Sequence, residues 1–262
     1  MTEWNAAGYD AISGLQTAMA AEAMLLLDLK GTERVLDLGC GNGKVTAQIA
    51  ARVPRGTVLG IDSSTSMVSF ASDHFARAAH PNLRFETADI RCMLFRQEFD
   101  LVVSFNALHW ITEQDQALRS IHSALQPNGL AQLRLVPSGR RKSLENVIEE
   151  TRLSPKWAGL FGEFRDPYLH LTPEQYHVLA ERNHFAVRRM SVQDKAWDFK
   201  SRDAFVVFSL VGMIEWTRKL AECDRLSFVR EVLDHYRSVA CDKPGEENTF
   251  KFYQMDVTLA RV

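Results

Sequence analysis

The nine residues Val35–Gly43, V-L-D-L-G-C-G-N-G, restrict the fold of this chain more than any other stretch. Val35, Leu36 and Leu38 around Asp37 predict a short strand, because a strand covered by helices on both faces carries a near-continuous apolar run. Gly39, Gly41 and Gly43 follow at alternate positions. Glycine reaches positive φ cheaply and holds no side chain between the backbone and a ligand. Lys44–Val53 then places Val45, Ile49 and Val53 at helical spacing. Strand, glycine turn and helix in this order predict a crevice for a nucleoside-type cofactor at the carboxyl ends of a parallel sheet.

The spacing narrows the cofactor. A dinucleotide site uses G-x-G-x-x-G, whereas the turn here reads G-x-G-x-G, with Lys44 where the third glycine would stand. The next apolar run, Val58–Ile61, delivers Asp62, 19 residues after Gly43. A carboxylate at that distance accepts hydrogen bonds from ribose hydroxyls.

The alternation continues along the chain. Strands are predicted at Arg34–Leu38, Thr57–Ile61, Pro81–Glu86, Phe99–Ser104 and Leu130–Val136. Helices are predicted at Gly14–Asp28, Lys44–Val53, Thr65–Ala79 and Glu113–Leu125, the third capped by Ser63 or Ser64. Gln126-Pro127-Asn128-Gly129 reads as a turn. Pro137–Thr172 breaks the pattern with the basic run Gly139–Lys142, one helix at Ser143–Leu153, and Trp157, Phe161, Phe164 and Tyr168. It reads as an insert that covers a pocket, and its basic run either attracts an anionic acceptor or is simply a solvated loop. Beyond it come a helix at Pro173–Asn183, a strand from Phe185 that runs as far as Phe199, helices at Arg202–Leu220 and Arg225–Val239, and a final strand at Phe250–Val262.

Together with the glycine turn, these segments make Val35–Val136 resemble the class I S-adenosylmethionine (SAM) methyltransferases. The likeness is carried by V-L-D-L-G-C-G-N-G, Gly60-Ile61-Asp62-Ser63-Ser64, Ala88-Asp89-Ile90, Phe99–Ser104 and Leu125–Leu130. The resemblance implies an α/β, Rossmann-like, doubly wound sheet of seven strands. It would be mostly parallel, with the antiparallel last strand inserted as an edge partner between strands five and six, and with a helical cap. Residues 1–262 would form one domain, with 1–30 as an N-terminal cap and 137–172 and 201–240 as segments that cover the substrate. SAM would be the cofactor and S-adenosylhomocysteine the product, held by Asp37, Gly39, Cys40, Gly41, Gly43, Asp62, Ser63, Met67, Asp89, Ile90 and Asn106. Asp89 would accept from the adenine amino group while Ile90 packs on the ring.

The acceptor is set by the loop after the fourth strand. Methyltransferases of nucleobase amino groups carry Asn/Asp-Pro-Pro-Tyr/Phe there, and this chain has Asn106-Ala107-Leu108-His109-Trp110. That stretch resembles the small-molecule O-methyltransferases that esterify carboxylates, such as the trans-aconitate methyltransferases. His109 would be a general base for a hydroxyl acceptor, or a group that orients a carboxylate, or a packed histidine beside Trp110. Tyr9 and Gln16, with Trp4, are pocket candidates on the N-terminal segment, or else core aromatics and their neighbours. N- or C-methylation of a secondary metabolite, and SAM binding without catalysis, stay open as alternatives.

Composition excludes other classes. A formal charge of −2 argues against a surface that neutralises many phosphates. Cys40, Cys92, Cys223 and Cys241 are scattered, without the C-x-x-C spacing of a zinc or redox pair, so no metal is expected. Reduced thiols, the absence of a signal-like N-terminus at Met1–Asp10, and no apolar run of about 18 residues predict a cytoplasmic protein off the membrane. The expected partner is a small-molecule acceptor, with no nucleic acid.

Overall fold

A computed structural model describes residues 13–262, the side chains of Ser13, Gly14, Gln16 and Thr17 excepted. Tyr9 and Trp4 therefore lie outside the described residues, as does the side chain of Gln16.

Seven strands form one sheet: β1 Arg34–Leu38, β2 Thr57–Asp62, β3 Leu83–Thr87, β4 Phe99–Phe105, β5 Leu125–Leu135, β6 Phe185–Asp198 and β7 Thr249–Arg261. Their order is β3-β2-β1-β4-β5-β7-β6. β1 to β5 pair in parallel, and β7 runs antiparallel to both β5 and β6. The α/β, Rossmann-like expectation with an antiparallel last strand is met. β7 takes the place between β5 and β6 that the resemblance implies, and is therefore an inner strand rather than an outer one. Its side chains are buried along most of its length, so it needs a neighbour on each side. The edge is taken by β6, which carries Arg188, Arg189, Asp194 and Lys195 and is half exposed. Charge on an outer strand discourages pairing with a further chain.

Helices α1 Ser13–Leu25, α2 Lys44–Arg52, α3 Thr65–His74 and α4 Gln114–Ala124 accompany the first five strands. Ser64 caps α3 by accepting from the Met67 amide at 3.3 Å. On α4, Ala117, Leu118, Ile121 and Ala124 are fully buried against the sheet, an i, i+1, i+4, i+7 stripe on one face that drives such a helix onto a core. The predicted turn Gln126–Gly129 lies inside the span of β5 as an irregularity. Opposite Phe99 and Leu101, pairing jumps from Leu125 to Leu130, and Asn128 takes φ +64°.

The remaining helices are α5 Leu144–Arg152, α6 Ala158–Phe161, α7 Pro173–Arg182, α8 Arg202–Gly212, α9 Ile214–Thr217 and α10 Glu222–Ala240. Capping boxes start two of them, Ser143 with Asn146 on α5 and Thr172 with Gln175 on α7. Each box satisfies two backbone donors that the first turn leaves over. The helix expected at Arg202–Leu220 is broken at Gly212-Met213 into α8 and α9. Glycine is a weak helix interior residue.

Core packing separates two regions. One cluster joins the sheet to α4 and α7. A second gathers Leu144, Val147, Ile148, Trp157, Phe161 and Tyr168 with residues of α8, α9 and α10, including Phe205, Trp216, Phe228 and Val232. The insert and the late helices thus share a core of their own.

Candidate active site

The sheet reverses its order between β1 and β4, which opens a crevice at their carboxyl ends. The β1 turn and the β4 turn meet there. Ser104 Oγ donates to the Leu38 carbonyl at 2.9 Å. A β-carbon on Gly39, whose φ is +71°, would stand 2.3 Å from that of Ala107. Glycine at 39 is therefore what allows the two turns to touch. Gly43, at φ +79°, has a different task. A β-carbon there would meet the Phe85 ring at 2.7 Å and Ala71 at 2.8 Å, so Gly43 packs α2 against β3 and α3. This is the packing duty a third glycine performs in a dinucleotide fingerprint.

The amides of the three glycines and of Cys40 are spent within the chain. Gly39 and Cys40 donate to the Ile61 carbonyl at 2.8 and 3.0 Å, and Gly43 to the Cys40 carbonyl at 3.0 Å. Gly41 donates to Asp62 Oδ2 at 3.0 Å. A pyrophosphate is held by unspent amides at a helix start. The turn therefore offers shape rather than an anion cradle. At Gly41, φ +51°, a β-carbon would meet nothing within 4 Å among the described residues, which leaves the floor of the crevice clear of them above this residue.

A cavity of about 750 Å³ begins at this floor. Asp37, Gly39, Cys40, Gly41, Asn106, His109 and Trp110 line it, as the sequence reading grouped them. Its far wall comes from the insert and α8: Leu144, Glu145, Ile148, Tyr168, Phe208, Ser209 and Met213. Leu15 and Met19 of α1 close one side. Asp62, Ser63, Met67, Asp89 and Ile90 stand outside this wall, at the ends of β2 and β3 and the start of α3. Those ends are tied by the Ala88 amide donating to the Asp62 carbonyl at 3.0 Å. Gly43 is also absent from the wall, in keeping with its packing task.

The acidic groups differ in state. Asp37 is buried and accepts from Thr46 Oγ1 at 2.7 Å. Burial, with Asp62 nearby, pushes its carboxyl up to about 7. Burial also raises the Cys40 thiol. Asp62 accepts from the Ser64 amide at 2.9 Å through Oδ1 and from Gly41 through Oδ2; a carboxylate oxygen takes more than one hydrogen bond. Asp89 caps the short 3₁₀ turn Ile90–Cys92 and holds the Arg91 guanidinium at 2.6 Å, which keeps its carboxyl below the usual range.

His109 sits at the junction of the crevice and the insert. Its carbonyl accepts the Leu169 amide at 2.8 Å, and its ring lies 5.0 Å from that of Tyr168. Nδ1 accepts the Val136 amide at 3.3 Å. A ring nitrogen that accepts carries no proton, so the N–H is on Nε2. Burial drives the imidazole pKa down to about 3. The ring is thus neutral and a donor at physiological pH. Beside it Asn106 holds φ +61°, and among the described residues its buried Oδ1 has no hydrogen-bond partner, an orphan acceptor in the cavity wall.

The residues present fit a SAM-like nucleoside: an open glycine floor, a carboxylate at the end of β2, an unspent acceptor at Asn106, and no amide cradle. Glu145 and Ser209 escaped the sequence reading. Glu145 looks like any acid in the first turn of a helix, where the dipole favours it. Ser209 had one signal, a hydroxyl within the otherwise apolar run Phe205–Met213. Among the described residues no three His, Cys, Asp or Glu side chains converge as a metal site, and no helix is long and apolar enough to cross a membrane.

Comparison with known proteins agrees with this geometry. The general methyltransferase domain family matches residues 35–129. The trans-aconitate 2-methyltransferase of Methylobacterium radiotolerans is 30% identical over 224 residues, covering 83% of this chain and 79% of that protein. That of Deinococcus radiodurans is 29% identical over 259 residues, covering 95% of each. In fold, the chain matches phosphoethanolamine N-methyltransferase 2 of Haemonchus contortus, solved with S-adenosylhomocysteine, at a TM-score of 0.64 and 17% identity; the match covers 98% of this chain and 57% of that one. A strand-turn-helix crevice without an anion cradle, together with these relatives, makes the chain a SAM-dependent enzyme belonging to the class I methyltransferases, of the trans-aconitate methyltransferase-like kind.

Proposed function

We propose that this methyltransferase esterifies a carboxylate on a small, largely apolar acceptor. The observation that supports the choice is the state of His109. A hydroxyl acceptor needs a base at the reacting oxygen, and the histidine there has its acceptor nitrogen occupied by Val136 and its basicity suppressed by burial. A carboxylate arrives ionised and nucleophilic at neutral pH. The bound cofactor supplies a methyl group already activated on a sulfonium sulfur. The chain's task is alignment and the exclusion of water, which can lower a barrier by about 7–11 kcal/mol.

In this reading Asp62 accepts the ribose hydroxyls, and Met67, Asp89 and Ile90 border the adenine. Asp37 and Gly41, with Gly39 and Cys40, face the amino-acid end, and Asn106 offers its unspent oxygen to the ammonium. The His109 Nε2–H donates to the acceptor oxygen that is not methylated, with Trp110 beside it. Tyr9 and Gln16 would complete the pocket from the N-terminal segment. The segments 137–172 and 201–240 enclose the acceptor within a single domain. A screen with labelled SAM against carboxylates, phenols and amines tests this. Base-labile methyl esters are expected; methylation confined to phenols or amines would overturn the reading.

Two variants separate the roles. Asp62→Ala should weaken SAM binding by about 1.5–3 kcal/mol, the range for hydrogen bonds to a charged group; titration calorimetry showing unchanged affinity would remove Asp62 from the site. His109→Gln keeps a donor and should retain more turnover than His109→Ala. The pH profile of kcat/KM should show no step near pH 6.5 from this residue. The sign for stability follows from the same lowered pKa. Between about pH 6.5 and 3 the unfolded histidine binds a proton that the folded one does not, so its contribution to stability falls by up to ~1.4 kcal/mol for each unit of acidification in that window. Asp37, raised to about 7, acts in the opposite direction, holding a proton in the folded state down to the ordinary carboxylate range. Urea midpoints of His109→Gln and Asp37→Asn across pH 4–7 should therefore diverge in opposite senses from the parent.

A further inference from the structure

Two polar groups stand in the cavity wall without a task in the transfer just described. Glu145 is the second residue of α5 and lines the cavity between Leu144 and the turn-later Ile148. Among the described residues it forms no salt bridge, and burial raises its carboxyl above the usual range. Ser143 at the cap of α5 hydrogen-bonds the carboxyl and His170 acts on it through its field, while His170 itself is bonded to Asp166 at 2.8 Å and to Asn146 at 3.2 Å. Ser209 lies within α8, fully buried, and among the described residues its hydroxyl has no hydrogen-bond partner. A helical serine ordinarily returns its hydroxyl to the carbonyl one turn back. An unbonded hydroxyl buried in an apolar wall carries a desolvation cost that an arriving partner would relieve.

Around these two groups the wall is apolar: Val136, Phe208, Met213, Phe250 and Phe252. Among its described residues the single lysine is Lys44, at the glycine-turn end where α2 begins, and there is no arginine. A second carboxylate on the acceptor would therefore meet a like charge and a dry surface with no cation to offset either. Such burial is strongly unfavourable. A hydroxyl or an ammonium would instead donate to Glu145 and pair with Ser209.

We propose that Glu145 and Ser209 form a specificity subsite that receives a hydrogen-bond-donating group of the acceptor, a hydroxyl or an ammonium, and turns away a second carboxylate. The inference rests on the placement of the methylated carboxylate at His109, and it makes both side chains positioning residues rather than participants in the transfer. It also separates this chain's acceptor from a tricarboxylate, which would carry anionic groups into the same wall.

The test uses acceptors on one six-carbon scaffold with the full chain and labelled SAM: hexanoate, its ω-hydroxy and ω-amino forms, adipate, and the matching alcohol and amine that lack a carboxylate. The ω-hydroxy and ω-amino acids are expected to exceed hexanoate in kcat/KM by about tenfold or more, with adipate lowest; the two arms tell which donor is read. Glu145→Gln should shrink that preference about tenfold, mostly through KM, and ease the penalty on adipate. Ser209→Ala should shrink it by a smaller factor. S-adenosylhomocysteine affinity, by calorimetry, confirms that each variant is folded. The Kd of each acid for the protein loaded with S-adenosylhomocysteine gives the same ranking without turnover. A preference untouched by either variant, equal Kd values across the series, or no binding of any member overturns the subsite. A Glu145→Gln variant that loses kcat at unchanged KM also overturns it, by making Glu145 a base. Turnover of the alcohol or amine with no ester from any acid would instead defeat the carboxylate reading, and the Glu145→Gln comparison would still be read on those acceptors.

Discussion

Gly39→Ala is expected to destabilise the protein by about 2–5 kcal/mol and to abolish cofactor binding at concentrations that saturate the parent. Two effects add. A side chain at φ +71° incurs about 1–2 kcal/mol of left-handed strain. Its β-carbon would also fall 2.3 Å from the Ala107 β-carbon, and overpacking of that kind costs roughly 1–3 kcal/mol. The turn after β1 must then move off the turn after β4, and those are the two surfaces between which the crevice is formed. Gly41→Ala is the informative control. It has positive φ as well, but its β-carbon meets nothing within 4 Å. It should lose about 1 kcal/mol of stability while its methyl intrudes on the cavity floor, so affinity for S-adenosylhomocysteine should suffer more than the urea midpoint. If Gly39→Ala bound S-adenosylhomocysteine as the parent does, the contact of the two turns would have no part in shaping the site.

The second large effect is expected from Asp256→Ala, at about 3–5 kcal/mol. Arg134 on β5 and Asp256 on β7 face each other in register. Their side chains are 2% and 6% exposed, with Nε to Oδ1 at 2.7 Å and Nη2 to Oδ2 at 3.2 Å. Removing the carboxylate leaves a guanidinium that cannot deprotonate in a dry sheet interior. The same guanidinium donates from Nη1 to the Met19 carbonyl of α1 at 2.9 Å, and Met19 lines the cavity. Loosening Arg134 should thus also raise the off-rate of bound S-adenosylhomocysteine. The double replacement Arg134→Met, Asp256→Leu should recover most of the lost stability, because it removes the buried charges together, without restoring the tie to α1. Chemical denaturation and stopped-flow release measure the two quantities separately. Equal midpoints for Asp256→Ala and the parent would show that the pair is solvated rather than buried.

Much of the fold was readable from the residues. The glycine turn is local: its conformation depends on which positions lack a β-carbon, and Gly39, Gly41 and Gly43 announce this directly. The strands β1, β2 and β4 are short apolar runs, and Asp62 ends one of them. The placement of β7 between β5 and β6 came from the resemblance and not from its own residues. Alternation in Phe250–Val262 identifies a strand, but whether it is an edge depends on what pairs with its far side, and β6 lies far away in sequence. The break at Gly212-Met213 was missed because the apolar stripe continues through it, and periodicity does not register one residue of lost helix.

The sequence by itself determined the crevice, its cofactor and the family, since these rest on backbone freedom and on side chains within a few residues of each turn. Only the tertiary structure decided what lines the cavity. His109 reads as a base, a carboxylate-orienting group or a packed histidine until the Val136 amide is seen on its Nδ1, and Glu145 reads as an ordinary first-turn acid until α5 is seen to line the cavity. Charge state and hydrogen-bond capacity depend on what is packed around a group, and those neighbours come from strands and helices that the chain brings together only on folding.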